Sequence, residues 1–244
     1  MNNLVTVHSS RTIMFNELEK VMDFAQGNAN YEEALKTNVT GKRSNTSIKK
    51  TANFLKTLYR FDIKDPFFLA FQYFWDQSTA TQKPILAFLF AVNRDYLLSE
   101  SRDVIRQTET GKKVVIASLE ENIEKYHPGK YSQVTKHSIA KNIASSWKQA
   151  GFIQGKVKNI RVQPEIDPAT ACFAFLLAYL SGKSGDFIWS APVVRALCLS
   201  ENILRELAGE CARKDLIQYQ YAGNVTVISF DNLLKRIGIN AIED

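Results

Sequence analysis

The sequence predicts a mainly helical protein with helix-turn-helix or winged-helix modules and two short β-hairpins. Apolar residues recur at three- and four-residue spacing along much of the 244-residue chain, which is the periodicity of amphipathic helices. Twice, such a helical segment is followed by two short alternating runs around a glycine, as in a helix that precedes a wing. A content of 45% hydrophobic and 11% aromatic residues is typical of a folded protein rather than a disordered one.

Residues 1–64 form the first predicted module, which resembles a helix-turn-helix unit. Helical spacing runs over residues 9–25, and a short second helix starts at Tyr31. The polar turn VTGKRSNTS then leads into the basic amphipathic helix IKKTANFLKTLYRF, whose N-cap is Ser44, Asn45 or Thr46. This order of elements indicates a helix-turn-helix, although an ordinary amphipathic surface helix remains an alternative.

Residues 65–110 form an aromatic-rich hub. Pro66 begins a helix that carries six aromatic side chains, and Pro84 lies in the first turn of the next helix, ILAFLFAVNRDYLL. Apolar residues surround these helices on most sides, so we expect them to be buried centrally and to join the modules on either side.

Residues 111–166 form the second predicted module, a basic winged helix. A helix is expected from Thr110 to Tyr126, and a second from about residue 135 to residue 150, where Gly151 ends it. The segment FIQGKVKNIRV then predicts two short strands that are joined through Gly155 to Asn159. A helix followed by a basic hairpin is the arrangement that presents one helix to a DNA groove and a wing to the adjacent backbone.

Residues 167–244 form a third predicted module of the winged-helix type. A buried helix follows Asp167, a short helix follows Pro192, and Ser200 caps the helix ENILRELAGECARKDL. The segment IQYQYAGNVTVISF predicts a hairpin around Gly223 and Asn224. Residues 183–215 contain five basic and five acidic residues, so we expect this module to contact its neighbours or a protein partner rather than DNA.

Charge is concentrated in two windows, Lys36–Arg60 with seven basic residues and Lys125–Arg161 with eight, and neither contains Asp or Glu. The whole chain carries a net charge of +6, so the remainder is net acidic. Two basic windows on an acidic body predict a defined surface for a polyanion. The alternative, two solvated faces on which the charge has no function, stays open.

Lysine, arginine and small polar side chains within these windows are the types that contact phosphates and base edges. On the helices, we predict DNA contacts from Lys42, Arg43, Ser44, Asn45, Lys49, Lys50, Asn53, Lys56, Lys136, His137, Ser138, Lys141, Asn142, Ser145 and Lys148. On the wing, we predict that Lys156, Lys158 and Arg161 reach the backbone or the minor groove.

No catalytic residue, metal ligand or cofactor is predicted. His8, His127 and His137 are isolated in the sequence and lack the spacing of a zinc site. The segment SGKSGD lacks the spacing of a phosphate-binding loop. We therefore expect a protein that is not an enzyme, although an acid–base pair assembled only in three dimensions remains an alternative.

The chain is expected to be cytoplasmic and to make no membrane contact. Its three cysteines, Cys172, Cys198 and Cys211, have no paired spacing, which favours free thiols in a reducing compartment. The first ten residues lack the pattern of a signal peptide, and the longest apolar run is about half of what a bilayer span requires.

Several segments together resemble the BrxA family of bacteriophage exclusion (BREX) defence systems. They are SSRTIMFNELEKVM, TGKRSNTSIKKTANFLKTLYRF, the aromatic helices and the C-terminal winged-helix pattern. The resemblance covers most of the chain through diffuse helical patterns. It implies an all-helical DNA-binding protein with winged-helix elements, encoded near a methyltransferase, an ATPase and a phosphatase-like protein. It supplies no catalytic residues, and the family has also been compared with NusB-like antitermination factors, which bind RNA.

Residues and resemblance together predict a non-enzymatic, double-stranded DNA-binding component of a phage-defence system that binds mainly through phosphate contacts. Other BREX proteins are predicted as partners. The alternatives are an RNA-binding antitermination-like factor and a protein-interaction scaffold of the defence complex.

Overall fold

The computed structural model describes residues 5–27, 30–223 and 225–239 and confirms a mainly helical fold with two antiparallel hairpins. Its elements in chain order are α1 (Phe15–Ala25), α2 (Tyr31–Lys36), α3 (Asn45–Tyr59), α4 (Pro66–Gln77), α5 (Lys83–Val92), α6 (Tyr96–Glu100), α7 (Arg102–Gln107), α8 (Ile116–Tyr126), α9 (Gln133–Gln149), β1 (Ile153–Gln154), β2 (Ile160–Arg161), α10 (Pro168–Leu180), α11 (Phe187–Ser190), α12 (Pro192–Arg195), α13 (Glu201–Arg213), β3 (Gln218–Ala222), β4 (Val225–Ser229) and α14 (Asp231–Ile237).

The first helix begins later than its apolar spacing predicts, at Phe15 rather than near residue 9. The segment before it lies against the hub, where Val5 forms a parallel bridge with Asp95. Within the predicted turn, the Ser44 hydroxyl accepts a hydrogen bond from the Ser47 N–H at 3.2 Å and caps α3, as expected.

The hub is buried as predicted. Every residue of α5 from Ile85 to Val92 is buried, because this helix is apolar on all sides. Phe71 of α4 lies with its ring centroid 5.0 Å from that of Phe90 in α5 and 6.0 Å from that of Phe173 in α10. The aromatic side chains therefore connect the hub to the C-terminal part of the chain.

The winged-helix order of α8, α9, β1 and β2 is present. Gly151 adopts φ +83° directly after α9, a conformation that glycine reaches without strain. β1 and β2 pair with Ile153 opposite Arg161 and Gln154 opposite Ile160. The helix expected from Thr110 begins only at Ile116, because Lys113 instead forms an antiparallel bridge with Ile160 and adds an extended segment beside the wing.

The C-terminal hairpin pairs β3 with β4 in the register Gln218 to Ser229 through Ala222 to Val225. One residue of its predicted turn, Asn224, lies outside the described residues. Buried residues from all four predicted segments belong to one hydrophobic core. The boundaries between these segments stay a prediction. Over the described ranges, no helix has both the length and the apolar character needed to cross a bilayer.

Candidate nucleic-acid interface

The α3 helix presents cations to solvent on the side opposite its core contacts. It buries Leu55, Leu58 and Tyr59, and this leaves Lys49, Lys50, Asn53 and Lys56 exposed; Arg43, in the turn before the helix, is also exposed. Within the described residues, Arg43, Lys49, Lys50 and Lys56 form no salt bridge. Ser44 serves as the helix cap, and Asn45 is exposed at the first helical position.

Acidic residues from elsewhere in the chain neutralise some cations of the first window. The Lys42 ammonium lies 2.5 Å from a carboxylate oxygen of Glu17 in α1. Arg60 pairs with Asp65 at 2.9 Å at the opposite end of α3. The first basic window contains no acidic residue, but acidic residues from outside it lie beside two of its cations in the folded chain. Lys42 is therefore a weaker candidate for a phosphate contact than Lys49.

The same neutralisation occurs at the start of α9. Lys136 pairs with Glu124 at 2.7 Å, and His137 pairs with Glu120 at 2.6 Å, because α8 packs directly against α9. The hydrogen bond from Lys136, together with one from the Gly129 N–H, lowers the pKa of Glu124 and keeps it ionised. Both side chains are therefore held by carboxylates of α8, and their role as DNA contacts stays a prediction.

The remaining exposed face of α9 carries Val134, Ser138 and Lys141 at helical spacing. Lys141 has no salt bridge in the part of the chain that the structure describes. Ser145 is half-buried, and Lys148 donates to the Asn159 side-chain oxygen at 3.0 Å, which ties the helix to the base of the wing.

Two residues that the sequence predicts as DNA contacts, Asn142 and Arg161, form hydrogen bonds within the protein. The Asn142 amide donates to the His8 carbonyl at 3.0 Å. Arg161 is only 3% exposed, and its guanidinium donates to the Ile105 carbonyl at 3.3 Å and to the Gln163 side chain at 2.8 Å. The strand register places Arg161 opposite the buried Ile153, so its prediction as a DNA contact is wrong in this structure.

The wing tip is the most exposed part of the second basic window. Lys156, Val157 and Lys158 all project into solvent, and 82% of Val157 is accessible. Both lysines lack an ionic partner among the described residues. They are therefore available to a phosphate backbone, as the sequence predicts.

The two windows meet at a cavity of about 430 Å³, which we call the junction cavity. α3 contributes Ser47 and Thr51 to its lining, and α9 contributes Asn142. The remaining lining residues come from the N-terminal segment, α1 and the turn before α3: Ser10, Arg11, Thr12, Met14, Glu17 and Lys42. Segments that are distant in the sequence thus become neighbours on one side of the molecule.

A buried polar network that no motif of the sequence predicts is formed by His8, Asp95 and Ser146. His8 bonds through Nδ1 to Asp95 and through Nε2 to the Ser146 hydroxyl, both at 2.8 Å, and all three residues are 0% exposed. Ser146 also accepts from the Ile13 N–H at 3.0 Å and donates to the Asn142 carbonyl at 3.0 Å.

The order of groups in this network matches a Ser–His–Asp relay. However, Ser146 is buried on all sides and bonded to the backbone, so the network holds the N-terminal segment against the hub and α9. His8 is isolated in the sequence because its two partners lie 87 and 138 residues further along the chain.

The cysteines are free thiols. Burial raises the pKa of Cys198 to about 11, and it raises the pKa of Cys172 as well. No group of three or more His, Cys, Asp and Glu residues that could hold a metal ion is found among the described residues.

Comparison of the chain with protein-family models, with curated proteins and with solved structures finds no match in any of the three. The resemblance to the BrxA family therefore stays a prediction.

Proposed function

We propose that this protein binds double-stranded DNA, without catalysing a reaction, through two basic surfaces. The first consists of the exposed cations of α3, and the second of Lys141 with the wing-tip lysines Lys156 and Lys158. The observation that carries the proposal is that the exposed lysines of α3, Lys141 and the wing-tip lysines form no salt bridge in the described part of the chain, whereas Lys42 and Lys136 are paired with carboxylates. Unpaired exposed lysines are the groups that replace counterions along a phosphate backbone.

The winged-helix geometry supports a duplex as the ligand. A helix face of Val134, Ser138 and Lys141 suits a groove, while the projecting wing tip suits the neighbouring backbone. The resemblance to BrxA proteins adds a biological role, so we propose that the protein serves a phage-defence complex. Its partners there would be the methyltransferase, ATPase and phosphatase-like proteins.

The test is a salt titration of duplex binding by the full-length protein. Contacts to about five phosphates should give a slope of about −4.5 in a plot of log affinity against log salt concentration. The triple reversal K141E/K156E/K158E should abolish most binding. The matched control K183E/K214E/K235E changes the net charge equally at exposed lysines of the C-terminal part, so it should bind almost as the parent does. A flat salt titration, or equal loss in both variants, would overturn the proposal.

A single-stranded or hairpin RNA ligand is the second candidate. Tyr126 is an exposed aromatic residue with the Lys125 ammonium 5.7 Å from its ring centre, and bases of unpaired strands stack on such rings. Competition between duplex DNA and hairpin RNA at equal salt separates the two ligands. Preference for RNA, together with a weakened RNA complex in a Tyr126→Ala variant, would favour this candidate.

A protein-interaction scaffold is the third candidate. Phe187 and the valines 225 and 227 expose large apolar surfaces in the C-terminal part, where the charge is balanced. This candidate predicts stable co-purification of other defence proteins and no shift of nucleic acid at any salt concentration.

A further inference from the structure

The junction cavity is lined mainly by polar groups. Hydroxyls of Ser10, Thr12, Ser47 and Thr51 share it with the side chains of Arg11, Lys42, Asn142 and Glu17. Arginine, lysine, serine, threonine and asparagine are the residue types that bind phosphate oxygens at protein–nucleic acid interfaces. A volume of about 430 Å³ admits a phosphate group together with part of the molecule that carries it.

Thr51 gives this cavity a hydrogen-bonding group. The residue is only 4% exposed and lines the cavity, where its hydroxyl can donate to an oxygen atom of a bound group. Ser47, one turn earlier on α3, accepts a hydrogen bond from the Ser44 hydroxyl at 3.0 Å, which leaves its own proton free to donate.

The charge at the cavity favours an anion. Arg11 forms no salt bridge in the described part of the chain, and its guanidinium lies 5.3 Å from the ring centre of Phe54. One of its N–H groups donates to the Ser10 carbonyl at 3.3 Å, so other donors remain available. Lys42 and Glu17 neutralise each other at 2.5 Å, and the lining therefore has one unbalanced positive charge.

We propose that the junction cavity binds a phosphate group, with the Thr51 and Ser47 hydroxyls and the Arg11 guanidinium as donors to its oxygens. The Glu17 carboxylate limits the affinity, because it holds Lys42 and repels an incoming anion. The phosphate comes either from the duplex backbone or from a free phosphate ester, since both present the same oxygens. The backbone alternative rests on the proposed function, and it would place one phosphate where residues of both basic windows line the cavity.

The first experiment titrates the full-length protein with inorganic phosphate at constant ionic strength and follows backbone amide signals by nuclear magnetic resonance. Arg11→Gln and the nearly isosteric Thr51→Val should each weaken phosphate binding, with Arg11→Gln losing about tenfold as one charge-assisted hydrogen bond is removed. Glu17→Gln should strengthen binding, because it frees Lys42 and removes a negative charge.

Thr57→Val is the matched control, since Thr57 lies on α3 outside the cavity and bonds to the Asn53 carbonyl at 2.8 Å. It should bind phosphate as the parent does. Circular dichroism of each variant establishes that it is folded. Phosphate binding that does not saturate, or that is equal in the parent and in folded Arg11→Gln and Thr51→Val variants, would overturn the proposal.

The second experiment identifies the source of the phosphate by adding duplex DNA to the phosphate-loaded protein. Displacement of phosphate by the duplex, with weaker duplex binding in Thr51→Val, assigns the cavity to a backbone phosphate. Phosphate that stays bound beside the duplex assigns it to a free phosphate ester. A parent protein that binds phosphate but no duplex would contradict the proposed function and leave the phosphate site standing.

Discussion

At the scale of single residues, Asp95 organises the contact between the N-terminal segment and the hub. Its carboxylate accepts hydrogen bonds from the Val7 N–H at 2.6 Å and from the His8 ring at 2.8 Å. It also accepts from the Leu98 N–H at 3.2 Å and thereby caps α6. One buried carboxylate thus fixes two segments that meet only in the folded chain.

Asp95→Asn should lower the free energy of unfolding by about 3 kcal/mol at neutral pH, because the buried donors of Val7, His8 and Leu98 lose a charged acceptor. Denaturant unfolding followed by circular dichroism measures the loss. Glu121→Gln is the control, since Glu121 is exposed and has no ionic partner in the described chain. Equal stability of the Asp95→Asn variant and the parent would show that the network contributes little.

The contribution of Asp95 should also depend on pH. Burial alone would raise the pKa of this carboxyl, but the charge and hydrogen bond of His8 and the N–H groups of Val7 and Leu98 outweigh it and hold the pKa below its usual 3.8. The folded state therefore binds this proton less tightly than the unfolded state does, so the stabilisation is present above about pH 3.8 and is lost as the pH falls below it. The difference in unfolding free energy between the parent and Asp95→Asn should shrink between pH 5 and pH 2, and a constant difference would contradict this.

At the scale of elements, α9 carries two kinds of lysine. Lys136 is neutralised by Glu124 of α8, whereas Lys141 lies on the exposed face without an ionic partner in the described chain. A helix surface that looks uniformly basic in sequence thus divides into a paired side that packs on α8 and an unpaired side that faces solvent. Only the unpaired side is available to release counterions from DNA.

Lys141→Gln should weaken duplex binding and reduce the magnitude of the salt slope by about one, because one phosphate contact is lost. The double substitution Glu124→Gln with Lys136→Gln is the matched control. It removes the paired charges of Lys136 on α9 and Glu124 on α8 without changing the net charge, so affinity and slope should stay close to those of the parent. Fluorescence anisotropy at several salt concentrations measures both, and a larger effect of the double substitution would show that the paired side contacts DNA.

At the scale of the whole molecule, the modules share one core. Phe71 lies within 6.1 Å, between ring centroids, of Tyr59 from α3, Phe90 from α5 and Phe173 from α10. Trp147 of α9 packs on Phe88 of α5 with centroids 4.4 Å apart. The hub therefore gives every module part of its buried surface, and none is expected to unfold alone.

Phe71→Ala should lower the free energy of unfolding by about 3 to 5 kcal/mol and shift the whole transition together, because the cavity opens where three modules meet. Calorimetry, far-ultraviolet circular dichroism and tryptophan fluorescence should report one common midpoint. Separate transitions by these probes would show that the modules are independently stable.

Features that depend on neighbours in the chain follow from the sequence. The stop of α9 at Gly151, the cap of α3 at Ser44 and the two hairpins were predictable, because each depends on local backbone preferences. The later starts of α1 and α8 were not, since residues 5 and 113 are held in bridges by partners more than forty positions away. The network of His8 with Asp95 and Ser146 escaped prediction for the same reason.

The sequence by itself determined the mainly helical class, the two hairpins, the apolar hub and the concentration of positive charge in two windows. Tertiary structure decided which of those charges remain available. It paired Lys136 and His137 with α8, paired Lys42 with Glu17, and buried Arg161 beneath the wing. It also brought the two windows together around the junction cavity. The physical reason is that helical periodicity and turn chemistry act over a few residues, whereas neutralisation of a charge depends on which element packs beside it.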